Sequence, residues 1–305
     1  MLPLRDDNPT TRFAYVTLGI IVLNVLAFLF WEPTFAPSTP QGQLTQETFF
    51  FCHAEIPWEL SHQTNLANGG APARQAIESQ LQINGEEFQR YLAEKCGGKS
   101  WILAVFTAMF LHAGWLHIGG NMLFLWVFGN NVEDKLGPIK YVLFYFAGGI
   151  AATLAQTVVA PGSVIPNLGA SGAIAGVLGA YILMFPRRRV LTLVIFFIIT
   201  AVYVPAWVLL GVWFALQVFS GVGSLSNRLN AGGGVAFFAH IGGFVFGALM
   251  ALLFFPRERF GARPPPVRPD LWGRRGGPGL FRRRQPPPPP PPDAFPGWGG
   301  GPPGA

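Results

Sequence analysis

Long apolar blocks dominate the chain from Phe13 to Phe255, without the alternation of a half-buried strand or the one-sided stripe of a surface helix. A bilayer core about 30 Å thick needs roughly 20 apolar residues of helix to cross it. Several blocks meet that test, and spans are expected at residues 13–31, 115–130, 138–160, 169–185, 205–223 and 235–255. The first is uncharged, too long for the apolar core of a signal peptide and followed by no small-residue cleavage site, so it reads as a retained span. Val190–Val204 is apolar but shorter, rich in β-branched residues and ended by Pro205; it is expected at the membrane interface or packed against the bundle. Ser100–His112 ends in a His-Ala-Gly break and reads as a submerged part of the preceding loop, with a seventh span as the competing reading. The expected architecture is an all-α membrane protein, a bundle of six transmembrane helices with a short, submerged fourth.

Composition agrees: 50% of the residues are hydrophobic and 12% charged. Arg5 and Arg12, Lys135 and Lys140, Arg187–Arg189, and Arg257, Arg259 and Arg263 all fall on one side of such a bundle. The positive-inside rule therefore places residues 1–12 and the C-terminal tail in the cytoplasm, with a bacterial plasma membrane as the expected location. The loop 32–99 then lies outside and carries both cysteines, Cys52 and Cys96. A disulfide in an oxidising compartment and two unpaired thiols both fit two cysteines at one spacing. Residues 257–305 are rich in Pro, Gly and Arg, with an unbroken proline run over Pro286–Pro292, and are expected to be disordered. The tail is read as solvated, with weak contact of Arg274/Arg275 and Arg282–Arg284 with anionic lipid as the alternative. Because much of the net charge of +6 resides in the tail and the cytoplasmic loops, no nucleic-acid partner is expected.

A few polar residues interrupt the apolar blocks. His117 and Asn121 lie near the start of the second span, Ser171 opens the fourth, and His240 lies about one turn into the sixth. These three spans run inward from the outer face, so one or two turns puts all four side chains roughly 5 to 10 Å below it. Such groups are costly in hydrocarbon unless they face one another or a wet cavity. The fourth span amounts to about 25 Å of helix, so its outer end is submerged and the non-helical Pro161–Asn167 must be shielded by protein or line a cavity. Gly172 and Gly176, and Gly243 and Gly247, form small-residue faces on which two helices approach closely. Together these residues supply a nucleophile, a base and hydrogen-bond donors for an oxyanion.

His117-Ile118-Gly119-Gly120-Asn121, Gly169-Ala170-Ser171-Gly172 and Ala239-His240-Ile241-Gly242-Gly243 with Gly247 resemble, in order and spacing, the motifs of the rhomboid family of intramembrane serine proteases. Gly129-Asn130-Asn131-Val132-Glu133-Asp134-Lys135-Leu136-Gly137 resembles that family's connection between the second and third spans, and the similarity covers about residues 101 to 256. The resemblance implies a Ser171–His240 dyad with no third acidic residue, an oxyanion site from His117, Asn121 and the Ser171 backbone N–H, and no metal or cofactor. It also implies transmembrane proteins as substrates, cut in or near their membrane segments. Two departures stand out. Ala175 replaces an aromatic ring that in some members packs against the catalytic histidine, leaving Phe237, Phe238 or Trp207 as expected substitutes; the Trp-Arg pair of some members' first loop is not evident. The competing functions are an inactive relative that binds transmembrane clients and a small transporter.

Overall fold

In the computed structural model, which describes residues 1–34, 39–195, 199–226 and 236–254, the chain opens with a strand, β1 (Leu2–Asp6), followed by α1 (Tyr15–Leu26), whose helix continues as a π-helical turn to Trp31. Four helices then fill the long first connection: α2 (Pro40–His53), α3 (Pro57–His62), α4 (Gly70–Leu81) and α5 (Gly85–Cys96). The short α6 (Trp101–Thr107) leads to α7 (Trp115–Phe124), which runs through a second π-helical turn, Leu125–Gly129, into α8 (Asn130–Leu136). Next come α9 (Pro138–Val159) and α10 (Ser171–Met184), a hairpin of β2 (Arg189–Ile195) and β3 (Ile199–Pro205), and finally α11 (Ala206–Ser226) and α12 (Phe237–Phe254). The C-terminal tail and its expected lipid contact lie outside the described residues.

By length and composition, Pro138–Val159, Ala206–Ser224 and Phe237–Phe254 can each cross a membrane. A fourth crossing arises if Trp101–Phe110 and Trp115–Leu136, bent by 81° at the His-Ala-Gly break, act as one broken span. Tyr15–Trp31 and Ser171–Met184 are shorter apolar helices.

The segment Val190–Val204 corrects the all-α expectation. Its β-branched residues form a hairpin, and β1 adds to it to give an antiparallel sheet in the order β1-β2-β3. The sheet is docked through Asp6, whose carboxylate accepts hydrogen bonds from the Tyr181 hydroxyl at 2.6 Å and the Asn131 amide at 2.7 Å. Nearby, the start of α1 has no capping side chain of its own. Glu133 supplies one, accepting from the Val16 and Thr17 backbone N–H groups at 3.0 and 2.7 Å, where a carboxylate offsets the positive end of the helix dipole. In the bend before α1, Asp134 accepts from the Thr11 and Arg12 backbone N–H groups, both at 3.0 Å.

At the opposite end of α9, about 33 Å away for 22 residues, α2 to α5 form a small cap. Its core is Ile56, Trp58, Leu66, Ile77 and Leu92. Cys52 and Cys96 are disulfide-bonded across it, and Lys99 pairs with Glu59 at 2.7 Å with both side chains almost fully buried. Beneath, the bundle core is built around α10, with Tyr141, Tyr145, Tyr181, Phe128 and Leu178 fully buried.

Candidate active site

The helix carrying Ser171 is packed against its neighbours at backbone distance. A Cβ placed on Gly243 would overlap the Gly172 carbonyl oxygen, and one on Gly247 would overlap the Gly176 carbonyl oxygen. The seam extends beyond the four glycines singled out in the sequence. Gly179 meets the Phe244 carbonyl, and Gly242 meets the Ala155 side chain on α9. Without a hydrophobic driving force between helices in lipid, such close packing is the main way to fix their relative position.

Across this seam the His240 Nε2 lies 2.8 Å from the Ser171 Oγ, hydrogen-bond distance for a nucleophile and its base. The start of α12 is steadied by Gln156, whose side-chain oxygen accepts from the Ala239 N–H at 3.3 Å. The ring beside His240 is Trp213, with centroids 5.8 Å apart and planes inclined by 40°. This differs from the expectation of Phe237, Phe238 or Trp207, because Trp213 lies two turns into α11, facing α12. Sequence reasoning also missed Gln217, whose Oε1 lies 2.7 Å from the His240 Nδ1. An amide in the middle of an apolar helix was the available signal, the same signal that singled out Asn121.

Ser171 opens its helix, so the first backbone amides of α10 have no intrahelical partner and point toward the hydroxyl side. Gly169, two residues earlier, has φ of +121°, a left-handed conformation that glycine adopts freely. Any side chain there would also meet the His117 ring, whose Nε2 is 2.9 Å from the position of a Cβ. The Ala113 N–H donates to the His117 Nδ1 at 3.3 Å, so in the neutral ring Nε2 carries the proton and faces the Gly169 turn. One helical turn further along α7, the Asn121 side-chain nitrogen is buried with no partner among the described residues. An unspent donor of that kind is what an oxyanion site holds in its resting state. A cavity of about 30 Å³, lined in part by Thr153, Asn167, Gly169 and Ser171, has room for a water.

The non-helical stretch before Gly169 is shielded by the cap. The Trp58 N–H donates to the Ser163 carbonyl at 2.9 Å, Gln80 donates to the Gly162 carbonyl at 2.6 Å and accepts from the Val164 N–H at 3.1 Å, and the Asn167 N–H donates to the Glu55 carbonyl at 2.6 Å. From the bundle side, the Gly169 N–H donates to the Ala108 carbonyl at 2.8 Å. These bonds hold the stretch at Gly162, Ser163, Val164, Asn167 and Gly169 and satisfy backbone groups there that lipid would leave unpaired.

Comparison with known proteins adds the family. The model of the Rhomboid domain matches residues 99–257 of the 305, just over half of the chain. The chain is 35% identical over 156 residues to the rhomboid protease GluP of Bacillus subtilis, covering 50% of this chain and 26% of that protein. It is 30% identical over 151 residues to the mitochondrial rhomboid protein 1 of Saccharomyces cerevisiae, covering 48% and 40%, and 31% identical over 164 residues to RHOMBOID-like protein 1 of Arabidopsis thaliana, covering 53% and 37%. The aligned region thus spans less than half the length of each relative. With the domain match and the apolar helices that carry it, the chain is an integral, multi-pass membrane protein of the rhomboid family.

Proposed function

We propose that this protein is an intramembrane serine endopeptidase that cuts transmembrane proteins in or near their membrane segments. The observation that carries the reading is the 2.8 Å approach of the His240 Nε2 to the Ser171 Oγ on two helices held together by a glycine seam. Ser171 attacks the peptide carbonyl as His240 takes its proton. Negative charge develops on the carbonyl oxygen beside the Asn121 amide, the His117 Nε2–H and the Ser171 backbone N–H. His240 then returns the proton to the leaving amine, and a water repeats the sequence to release the acyl group. The likeness to a relative named as a rhomboid protease supports the same chemistry.

Six crossings, with both termini in the cytoplasm of a bacterium, fit this reading. Two independent signals agree on the orientation: the basic residues Arg5, Arg12, Lys135 and Lys140 gather at the sheet end of α9, while the disulfide lies at the cap end.

The test is cleavage of a model transmembrane substrate by purified wild type, Ser171→Ala and His240→Ala, with fluorophosphonate labelling of each. Cleavage and labelling are expected in wild type alone. Cleavage that persists in Ser171→Ala overturns the assignment, and folded wild type that neither cleaves nor labels favours a client-binding relative.

A further inference from the structure

We propose that Gln217 is a positioning residue that selects the catalytic tautomer of His240, an inference that rests on the protease reading for its consequence but not for its geometry. Gln217 stands in α11 among apolar residues, and its Oε1 is 2.7 Å from the His240 Nδ1 while the opposite ring nitrogen is 2.8 Å from the Ser171 Oγ. The two contacts bracket one buried imidazole. In a neutral ring only one nitrogen carries hydrogen, and the hydrogen bond at one nitrogen decides the state of the other. A carbonyl oxygen at Nδ1 requires Nδ1–H there, which leaves the lone pair of Nε2 facing Ser171. That is the form able to accept the serine proton. The reverse tautomer, which predominates for free neutral histidine, would present Nε2–H to the hydroxyl and could not act as base.

The choice of an amide also follows from the setting. A carboxylate in this place would stabilise the imidazolium more strongly, but an ionised group within a span costs more to bury than an amide whose oxygen is hydrogen-bonded. Gln217 supplies the acceptor without the charge. When His240 takes the serine proton, its Nδ1–H stays donated to the same oxygen, so no proton moves to Gln217 and none has to be recovered. Trp213, one turn earlier on α11, lies against the imidazole, so a ring and an acceptor from a single helix fix its orientation.

The experiment uses full-length protein with 15N-labelled histidine. There are five histidines, and the His240 signals are assigned by their loss in His240→Asn. Wild type is expected to show a protonated Nδ1 and an unprotonated Nε2. Gln217→Leu keeps the bulk and removes the acceptor, and is expected to shift His240 toward the Nε2–H form. Its kcat should fall by about 10- to 100-fold with little change in KM, as for the loss of a general base in part. Gln217→Glu retains an acceptor oxygen and is expected to recover most of the activity. An Nε2–H tautomer in wild type overturns the proposal, as does a Gln217→Leu protein with unchanged spectrum and kcat. Should the leucine variant not fold, the wild-type spectrum together with retained or lost activity in Gln217→Glu decides. Should wild type cleave nothing, the protease reading fails, while the tautomer measurement still tests the role of Gln217.

Discussion

The cap and the glycine seam hold opposite sides of the same serine by opposite means. In the cap, side chains do the holding: a disulfide, the Lys99–Glu59 pair, a small apolar core, and helix caps from Thr39 and Asn84. In the seam the side chains have been removed, and backbone carbonyls of α10 rest where Cβ atoms of α12 would be. Lipid denies the seam a hydrophobic driving force, so the seam relies on the fit of its surfaces. The seam sets the distance from His240 to Ser171, whereas the cap holds the turn that delivers Ser171 beside His117.

The sharpest way to break the comparison is to add a side chain to the seam. Gly247→Leu would drive a side chain into the Gly176 carbonyl of a helix that cannot retreat, and is expected to abolish the folded bundle, beyond the roughly 1–3 kcal/mol usual for overpacking. Thermal unfolding and fluorophosphonate labelling should both be lost; a variant that folds and labels normally would show that the helices are not in fixed contact.

In the cap the matching experiment removes a charge. Lys99→Met strands the buried Glu59 carboxylate and should cost about 3–5 kcal/mol, whereas Lys99→Met with Glu59→Leu should recover most of it, as buried pairs replaced by apolar residues often do. Limited proteolysis within residues 39–99 should report the loss. Breaking the disulfide is expected to be milder. Cys52→Ser closes no 44-residue loop and should lower stability by about 2–4 kcal/mol, with wild type in reductant behaving alike. Because Gln80 and Glu55 hold the turn before Ser171, both cap changes should slow labelling of Ser171 even where the bundle remains folded.

The same contrast explains what could be read from the sequence. Ser171, His117, Asn121 and His240 stood out because polar groups in apolar helices are conspicuous, and helical rise converts their positions into a common depth. Gln217 was equally conspicuous, but it lies in a span without a recognised motif, and only tertiary packing reveals which ring it faces. The hairpin was half legible: its β-branched residues were noted, but its partner strand is almost 190 residues away, at Leu2–Asp6. The cap was the least legible part, since its hold on Gly162, Val164 and Asn167 depends on long-range bonds from Gln80 and Glu55 that no local pattern encodes.

The smallest expected effect asks whether the cap's polar interior also senses pH. Glu55 is buried, and burial is the main cause that pushes its carboxyl up to about 7; hydrogen bonds from Asn167 and Thr157 and the charge of Lys99 oppose the rise, while Glu59 adds to it. The unfolded carboxyl loses its proton near 4.5, so between 4.5 and about 7 the folded protein binds more protons than the unfolded chain. Stability contributed by Glu55 is therefore present at low pH and lost as pH rises through that window, by roughly 1 kcal/mol between pH 6 and pH 8. Glu55→Gln keeps the shape without the titration, and its unfolding midpoint should fall less steeply over this interval than that of wild type; Glu32, also raised to about 7, chiefly by burial, supplies part of the remaining slope. Asp6, in the sheet at the other end, is raised to about 6, chiefly by burial, and acts in the same sense. Its variant Asp6→Asn should flatten the lower part of the curve and leave the upper part to Glu55 and Glu32. If both variants keep the wild-type slope, neither carboxyl is protonated in the folded protein near neutrality, and the cap's hold on the Ser171 turn does not vary with pH through Glu55.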